Sequence, residues 1–121
     1  MELIEILTPD FVHSDERGTL VQLVHGGYNQ VNAVFTKKGT VRGNFHYHKK
    51  NDEVFYVISG EVDVTVTLGE EKQQYSFSGG DMFRINKNIR HSFCYKEDTY
   101  LVVMYPDGVE LDDGTKDIYN D

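Results

Sequence analysis

Two histidines stand two residues apart in the run RGNFHYHKKNDEVFYVISG (Arg42–Gly60), and a glutamate follows five residues after the second. On an extended strand, residues i and i+2 project from one face, so His46 and His48 present both imidazoles to one point. Glu53 lies far enough along for the chain to bend and bring a carboxylate back to them. His91 sits on a later β-rich run, after GGDMFRINKNIR. Three imidazoles and one carboxylate form a borderline N/O donor set that suits Zn, Fe, Ni, Mn or Cu and leaves open positions on an octahedral ion. Such a set could hold one divalent transition metal ion between His46, His48, Glu53 and His91, while the plainer reading of His46 and His48 is two exposed polar residues on a strand. His13 and His25 have no partner at ligand spacing and read as ordinary polar residues. Cys94 has no motif around it and reads as a small core residue.

Positioning these side chains requires strands, and the sequence is rich in them. The runs TLVQLVH (Thr19–His25) and QVNAVFT (Gln30–Thr36) flank GGYN. DEVFYVIS (Asp52–Ser59) meets EVDVTVTL (Glu61–Leu68) across Gly60, and KQQYSFS (Lys72–Ser78) precedes GGD. MFRI, HSFCYK and TYLVVMY follow, and ELIEI opens the chain as an early strand. Strands about ten residues apart, separated by turn signals, indicate an all-β sandwich or barrel. In EVDVTVTL, Val62, Val64, Val66 and Leu68 share the face expected to be buried, opposite Glu61, Asp63, Thr65 and Thr67. DEVFYVIS is apolar on both faces, as suits a strand near the middle of a two-layer fold.

At 121 residues the chain reads as one domain, 1–121, with the acidic stretch 107–121 as a C-terminal arm. The net charge of −8 argues against nucleic acid and against an acidic membrane surface as partners. It leaves room for a small anionic substrate held by a local Arg or Lys. Cys94 is the only cysteine, so no intramolecular disulfide forms and a reducing compartment fits. No basic segment with an apolar stretch opens the chain, and no apolar run approaches the roughly 20 residues that span a bilayer. A cytoplasmic location is the expectation.

The larger spacing resembles the cupin superfamily. Its first motif runs His-x-His, three or four residues, Glu, six residues, Gly; here these are His46, His48, Glu53 and Gly60. The second runs Gly, five residues, Pro-x-Gly, two residues, His, three residues, Asn. Here Gly80, Asn86, Asn88, His91 and Tyr95 occupy those places. Asn86 replaces the Pro, Asn88 the Gly and Tyr95 the final Asn. Asn88 is a compatible exchange, because Asn visits positive φ more readily than most residues. The resemblance implies a double-stranded β-helix, a small jelly-roll barrel, with the four ligands in its mouth. It also implies a homodimer, since cupins pair through sheet edges or N-terminal strands.

A narrower resemblance is to nucleotide-sugar cupins, the epimerases and ketoisomerases. It rests on Asp15-Glu16-Arg17-Gly18 and on Arg42-Gly43 ahead of His46-Tyr47-His48. One residue more than the family pattern separates Gly43 from His46, an insertion able to rotate Arg42 off its usual face. The resemblance implies that Arg42 contacts a nucleotide phosphate and that His46 is the base removing a proton beside a sugar ketone. Tyr47, Tyr56 or Tyr95 would be the opposing acid. The function expected first is thus a metal-binding cupin acting on a small polar substrate, as a carbohydrate or nucleotide-sugar isomerase or epimerase. The alternatives are a non-haem metal-dependent dioxygenase with three His and one Glu, a non-catalytic small-ligand-binding cupin, or an assembly partner.

Overall fold

Short runs of alternating apolar and polar residues give strands, and the computed structural model, which describes residues 1–121, contains strands and no helix. The order is β1 (Ile4–Leu7), β2 (Phe11–Asp15), β3 (Gly18–Gln22), β4 (Gln30–Thr36), β5 (Val41–His46), β6 (Glu53–Ser59), β7 (Glu61–Leu68), β8 (Glu71–Ser78), β9 (Met82–Ile85), β10 (Arg90–Tyr95) and β11 (Thr99–Tyr105). A five-stranded sheet, β1-β9-β6-β11-β4, packs on a four-stranded sheet, β5-β10-β7-β8. All pairings are antiparallel. This is the all-β jelly-roll barrel that the motif spacing implies. The apolar strand β6 lies in the middle of the larger sheet, as its two apolar faces suggest. No helix is long and apolar enough to cross a membrane.

Inward residues of both sheets form one core. Val62, Val64 and Val66 are fully buried on β7, whereas Leu68 is 41% exposed. Leu68 pairs with Glu71 at the tip of the β7–β8 hairpin, beyond the cover of the opposite sheet. Aromatic rings fill one end of the barrel. Phe77 and Phe83 stack with centroids 3.9 Å apart, and Phe55 lies 5.0 Å from Phe83 and 4.9 Å from Phe93. Such rings combine large apolar area with specific geometry, so they make a rigid floor.

β2 and β3 form a separate hairpin. β3 stops at Gln22 rather than at His25, because its partner strand runs out at Phe11. Leu23 and Val24 leave the hairpin and pack on the outer face of the larger sheet, against the buried cluster of Val54, Met82 and Met104. β2 carries little periodicity, being exposed over nearly its whole length.

Residues 107–121 return across the end of β5. The backbones of Tyr47 and Tyr119 exchange two hydrogen bonds of 3.0 Å, and Val109 and Asp117 are buried. At the β6–β7 junction, Gly60 has φ +109°, and a Cβ there would lie 2.3 Å from Thr99 Oγ1. That position therefore requires glycine.

Candidate metal and substrate site

The sequence places its histidines by strand register, and the fold brings them together. His46 ends β5 and pairs directly with His91 on β10. His48 lies beyond the strand, which differs from the expectation that one strand holds both. Its ring still faces that of His46, because the Tyr47–Tyr119 bridge keeps the chain extended. Glu53 opens β6 in the facing sheet. The ligand atoms of His46, His48, Glu53 and His91 all lie within 4.8 Å of one another.

His48, Glu53 and His91 are buried, while His46 is partly open to the barrel mouth. Their hydrogen bonds determine which ring nitrogen is free. His48 Nδ1 donates to the Asp117 carbonyl at 2.5 Å, and His91 Nδ1 donates to the Ile89 carbonyl at 3.1 Å. A carbonyl only accepts, so both protons sit on Nδ1 and the Nε2 lone pairs point into the site. Each Nε2 is 2.9 Å from Glu53 Oε1. That is ion-pair distance, yet neither approach has hydrogen-bond angles, and all three atoms are buried without a hydrogen-bond partner. Three converging electron-rich atoms repel unless a cation stands among them, a proton or a metal ion. Buried polar groups are almost always satisfied. The donor set therefore fits a divalent transition metal.

The electrostatics agree. Burial alone would push the Glu53 carboxyl up, but His91 and His48 in their protonated forms outweigh it and hold the group well below the usual carboxylate range, the part that any cation among the three atoms would play. Burial would push His48 down, but proximity to Glu53 wins and raises it. His46 goes the other way. Burial, then the charges of His91 and His48, lower it to about 4, so its imidazole is neutral at neutral pH. It also lacks the carbonyl anchor that holds the other two rings.

His46 opens onto a cavity of about 170 Å³ that Arg42, Gly43, Tyr95, Tyr105 and Asn32 also line, with Phe55 and Phe93 as apolar wall. Arg42 faces this cavity despite the extra residue. From β10, His91 opposes His46 and Phe93 opposes Arg42, so four residues of β5 cover the span of two. The surplus leaves as a bulge, with Gly43, Asn44 and Phe45 at φ +91°, +42° and +62°. A Cβ on Gly43 would stand 2.9 Å from the His91 carbonyl oxygen, so the bulge needs glycine there. Arg42 Nε donates to Thr36 Oγ1 at 2.8 Å, which orients the guanidinium.

Of the candidate tyrosines, Tyr95 lines the cavity and Tyr47 and Tyr56 do not. Tyr47 stacks outside on Tyr119. Tyr105 is a cavity residue that the sequence reading passed over. The alternation in TYLVVMY was its signal, since Leu101, Val103 and Tyr105 share the inner face. Asn32 is read the same way from QVNAVFT. Burial raises both phenols; Glu53 raises Tyr105 further, while Thr36 and Arg42 partly offset the rise at Tyr95. Asp15 and Arg17 lie away from the cavity, at the hairpin tip, where Asp15 accepts the Arg17 main-chain N–H at 2.9 Å. Asn88 has φ +71°, the conformation in which the cupin motif carries glycine.

Among curated proteins, none matches the sequence. Among solved structures the chain is similar to a sugar 3,4-ketoisomerase of Thermoanaerobacterium thermosaccharolyticum in complex with TDP. That match has 17% identity and a TM-score of 0.81, covering 98% of this chain and 88% of that one. It is also similar to a TDP-quinovose 3,4-ketoisomerase of Campylobacter jejuni, with 21% identity and a TM-score of 0.79 over 97% and 94% of the two chains. A dTDP-4-dehydrorhamnose 3,5-epimerase of Sulfolobus tokodaii shares 19% identity and a TM-score of 0.67 over 86% and 75%. The family model described as Cupin domain matches residues 34–105, from the wall of the cavity through both motifs to Tyr105. With more than half of its residues matched in this way, the chain belongs to the cupin family.

Proposed function

We propose that this cupin is a metal-binding isomerase or epimerase of a keto sugar carried on a nucleotide. The observation that supports it most is the division within the histidine cluster. His48 and His91 are anchored through Nδ1 and turned onto Glu53, whereas His46 is unanchored, neutral and open to the same cavity as Arg42. On this reading His48, Glu53 and His91 would hold the metal, with His46 able to join them as a fourth donor or to serve as the base. A divalent metal held there would supply Lewis-acid polarisation of a substrate oxygen.

His46 then removes the proton from the carbon beside the ketone. A positioned base of this kind contributes roughly 10²–10⁴-fold. Tyr95 gives a proton to the ketone oxygen. It suits this role better than Tyr105: burial and Glu53 oppose ionisation of both phenols, but Thr36 and Arg42 offset part of the rise at Tyr95 and nothing offsets it at Tyr105. Return of a proton to the former ketone carbon, with the neighbouring hydroxyl giving up its proton to become the new ketone, completes isomerisation; return to the opposite face of the same carbon, with the enol proton going back to Tyr95, completes epimerisation. Arg42 binds a phosphate, as a planar guanidinium does in bidentate fashion. The likeness to a sugar 3,4-ketoisomerase in complex with TDP motivates the choice of substrate class; what it shows at 17% identity is the fold.

The test is titration with a panel of nucleotide-linked keto sugars, with proton exchange followed by NMR in heavy water. Arg42→Ala weakens binding by about 1.5–3 kcal/mol and leaves exchange chemistry in place. His46→Asn abolishes exchange and leaves binding largely intact. A wild-type chain that binds no member of the panel at millimolar concentration removes this reading.

A second reading has its own support. His48, His91 and Glu53 form a buried set of two histidines and one carboxylate, the ligand type of non-haem iron oxygenases. Oxygen uptake without solvent deuterium in the product would select it.

The chain is further proposed to act in the cytoplasm as a homodimer. Val31, Phe35, Ile58 and Tyr100 are exposed on one face of the larger sheet, whose edge strands β1 and β4 are uncovered. A monomer mass by sedimentation at micromolar concentration contradicts the dimer.

A further inference from the structure

The turn between His48 and Glu53 is fastened to the C-terminal segment by two side chains, Asp117 and Asn51. Asp117 is fully buried. Its carboxylate accepts the main-chain N–H groups of Lys49 and Lys50, each at 2.9 Å, and the side-chain amide of Asn51 at 3.0 Å. Its main-chain carbonyl accepts His48 Nδ1–H at 2.5 Å. Asn51 is buried as well and completes the seam. Its amide reaches the Gly108 carbonyl at 2.9 Å, and its oxygen accepts the N–H groups of Asp107 and Gly108 at 3.0 and 3.1 Å.

A buried carboxylate is costly unless hydrogen bonds hold it, and three donors hold this one. None of these contacts reaches the cavity, and neither Asp117 nor Asn51 is a donor in the cluster. The arrangement instead determines where His48 points. The carbonyl dictates the Nδ1–H tautomer and sends the Nε2 lone pair toward Glu53. The carboxylate keeps that carbonyl in register, because it grips the two residues that follow His48.

We infer that Asp117 is a positioning residue of the metal centre, so that docking of residues 107–121 and metal binding are one coupled equilibrium. The inference rests on the metal-binding reading above. Partners that orient a ligating histidine typically govern metal affinity by 10–100-fold. By linkage, whatever docking gives to metal affinity the metal returns to docking.

The experiment uses the full chain and Co²⁺ as the probe, titrated against a competing chelator. Asp117→Ala is expected to bind Co²⁺ about 10–100-fold more weakly, with altered ligand-field bands. Asp117→Asn keeps one acceptor oxygen and recovers part of the loss. A folded Asp117→Ala chain with wild-type affinity and spectrum overturns the proposal. Should that variant not fold, the wild type still decides. Saturating Zn²⁺ is expected to slow hydrogen exchange at the amides of Asp117 and Tyr119, which are bonded to Val109 and Tyr47. Unchanged exchange overturns the coupling.

Failure of the wild type to bind either ion sinks the metal reading and the coupling with it. The orienting contact then stands or falls separately, on the His48 ring correlations of the metal-free chain. The Nδ1–H tautomer should persist in the wild type and lose population in Asp117→Ala or, to a smaller extent, in Asp117→Asn, whichever folds. Its absence from the wild type, or an unchanged population in the variant, ends that part too.

Discussion

The same residue types meet at two places in this molecule, with different consequences. On the β2–β3 hairpin, His13 Nε2 lies 3.3 Å from Asp15 Oδ2, and the Arg17 guanidinium lies 2.6 Å from the same oxygen. The His13 and Arg17 side chains are 63% and 80% exposed, so water competes for every contact. In the barrel mouth, His48 and His91 meet Glu53 with side chains only 3–4% exposed. There each atom has to find its partner within the protein or in a bound cation. Exposed ion pairs contribute little because solvent screens them and the side chains lose entropy. Buried ones face a large desolvation cost, and removing one partner strands the other. Burial and orphaned ligand atoms mark the site, and the presence of histidine and carboxylate alone does not.

The sharpest way to break this comparison is to remove a buried donor. His48→Ala and His91→Ala should each lower metal affinity by more than the roughly 10–100-fold that loss of an outer partner costs. Elemental analysis and chelator competition on purified protein measure this. Full metal retention in both variants would place the two clusters on the same footing.

A backbone change should have an intermediate effect. Gly43→Ala puts a Cβ 2.9 Å from the His91 carbonyl at φ +91°. Relief requires β5 to move off β10, which separates His46 from His91. Stability should fall by about 1–3 kcal/mol, read from denaturant midpoints, with weaker metal binding alongside. Wild-type values for both would show that the bulge does not position the histidine pair.

The smallest effect belongs to the hairpin. His13→Ala, His25→Ala and Asp15→Asn should leave metal content unchanged and the thermal midpoint unmoved. A loss of metal in any of them would bring the exposed cluster into the site.

Much of the fold was legible because strand periodicity is local. Gln30–Thr36 and Glu61–Leu68 occur as read, and alternation in EVDVTVTL named three buried valines. Leu68 escaped that pattern because burial depends on what lies opposite, and nothing covers the hairpin tip. The hairpin strand β2 was not legible, since an exposed strand has no buried face to impose a period.

The candidate donor set is the part of the site that could be named from the sequence by itself. His46, His48, Glu53 and His91 were named from residue type and from the motif spacing that resembles cupins, and the fold brings the four together. Only the tertiary structure decided how those donors divide. It anchored His48 through Asp117, a contact 69 residues away in the chain, and left His46 open to the cavity. It also took up the two surplus residues of β5 in a bulge, which kept Arg42 on the cavity wall. Hydrogen-bond partners and bulges arise from segments distant in sequence meeting at fixed register, and no local pattern records that register.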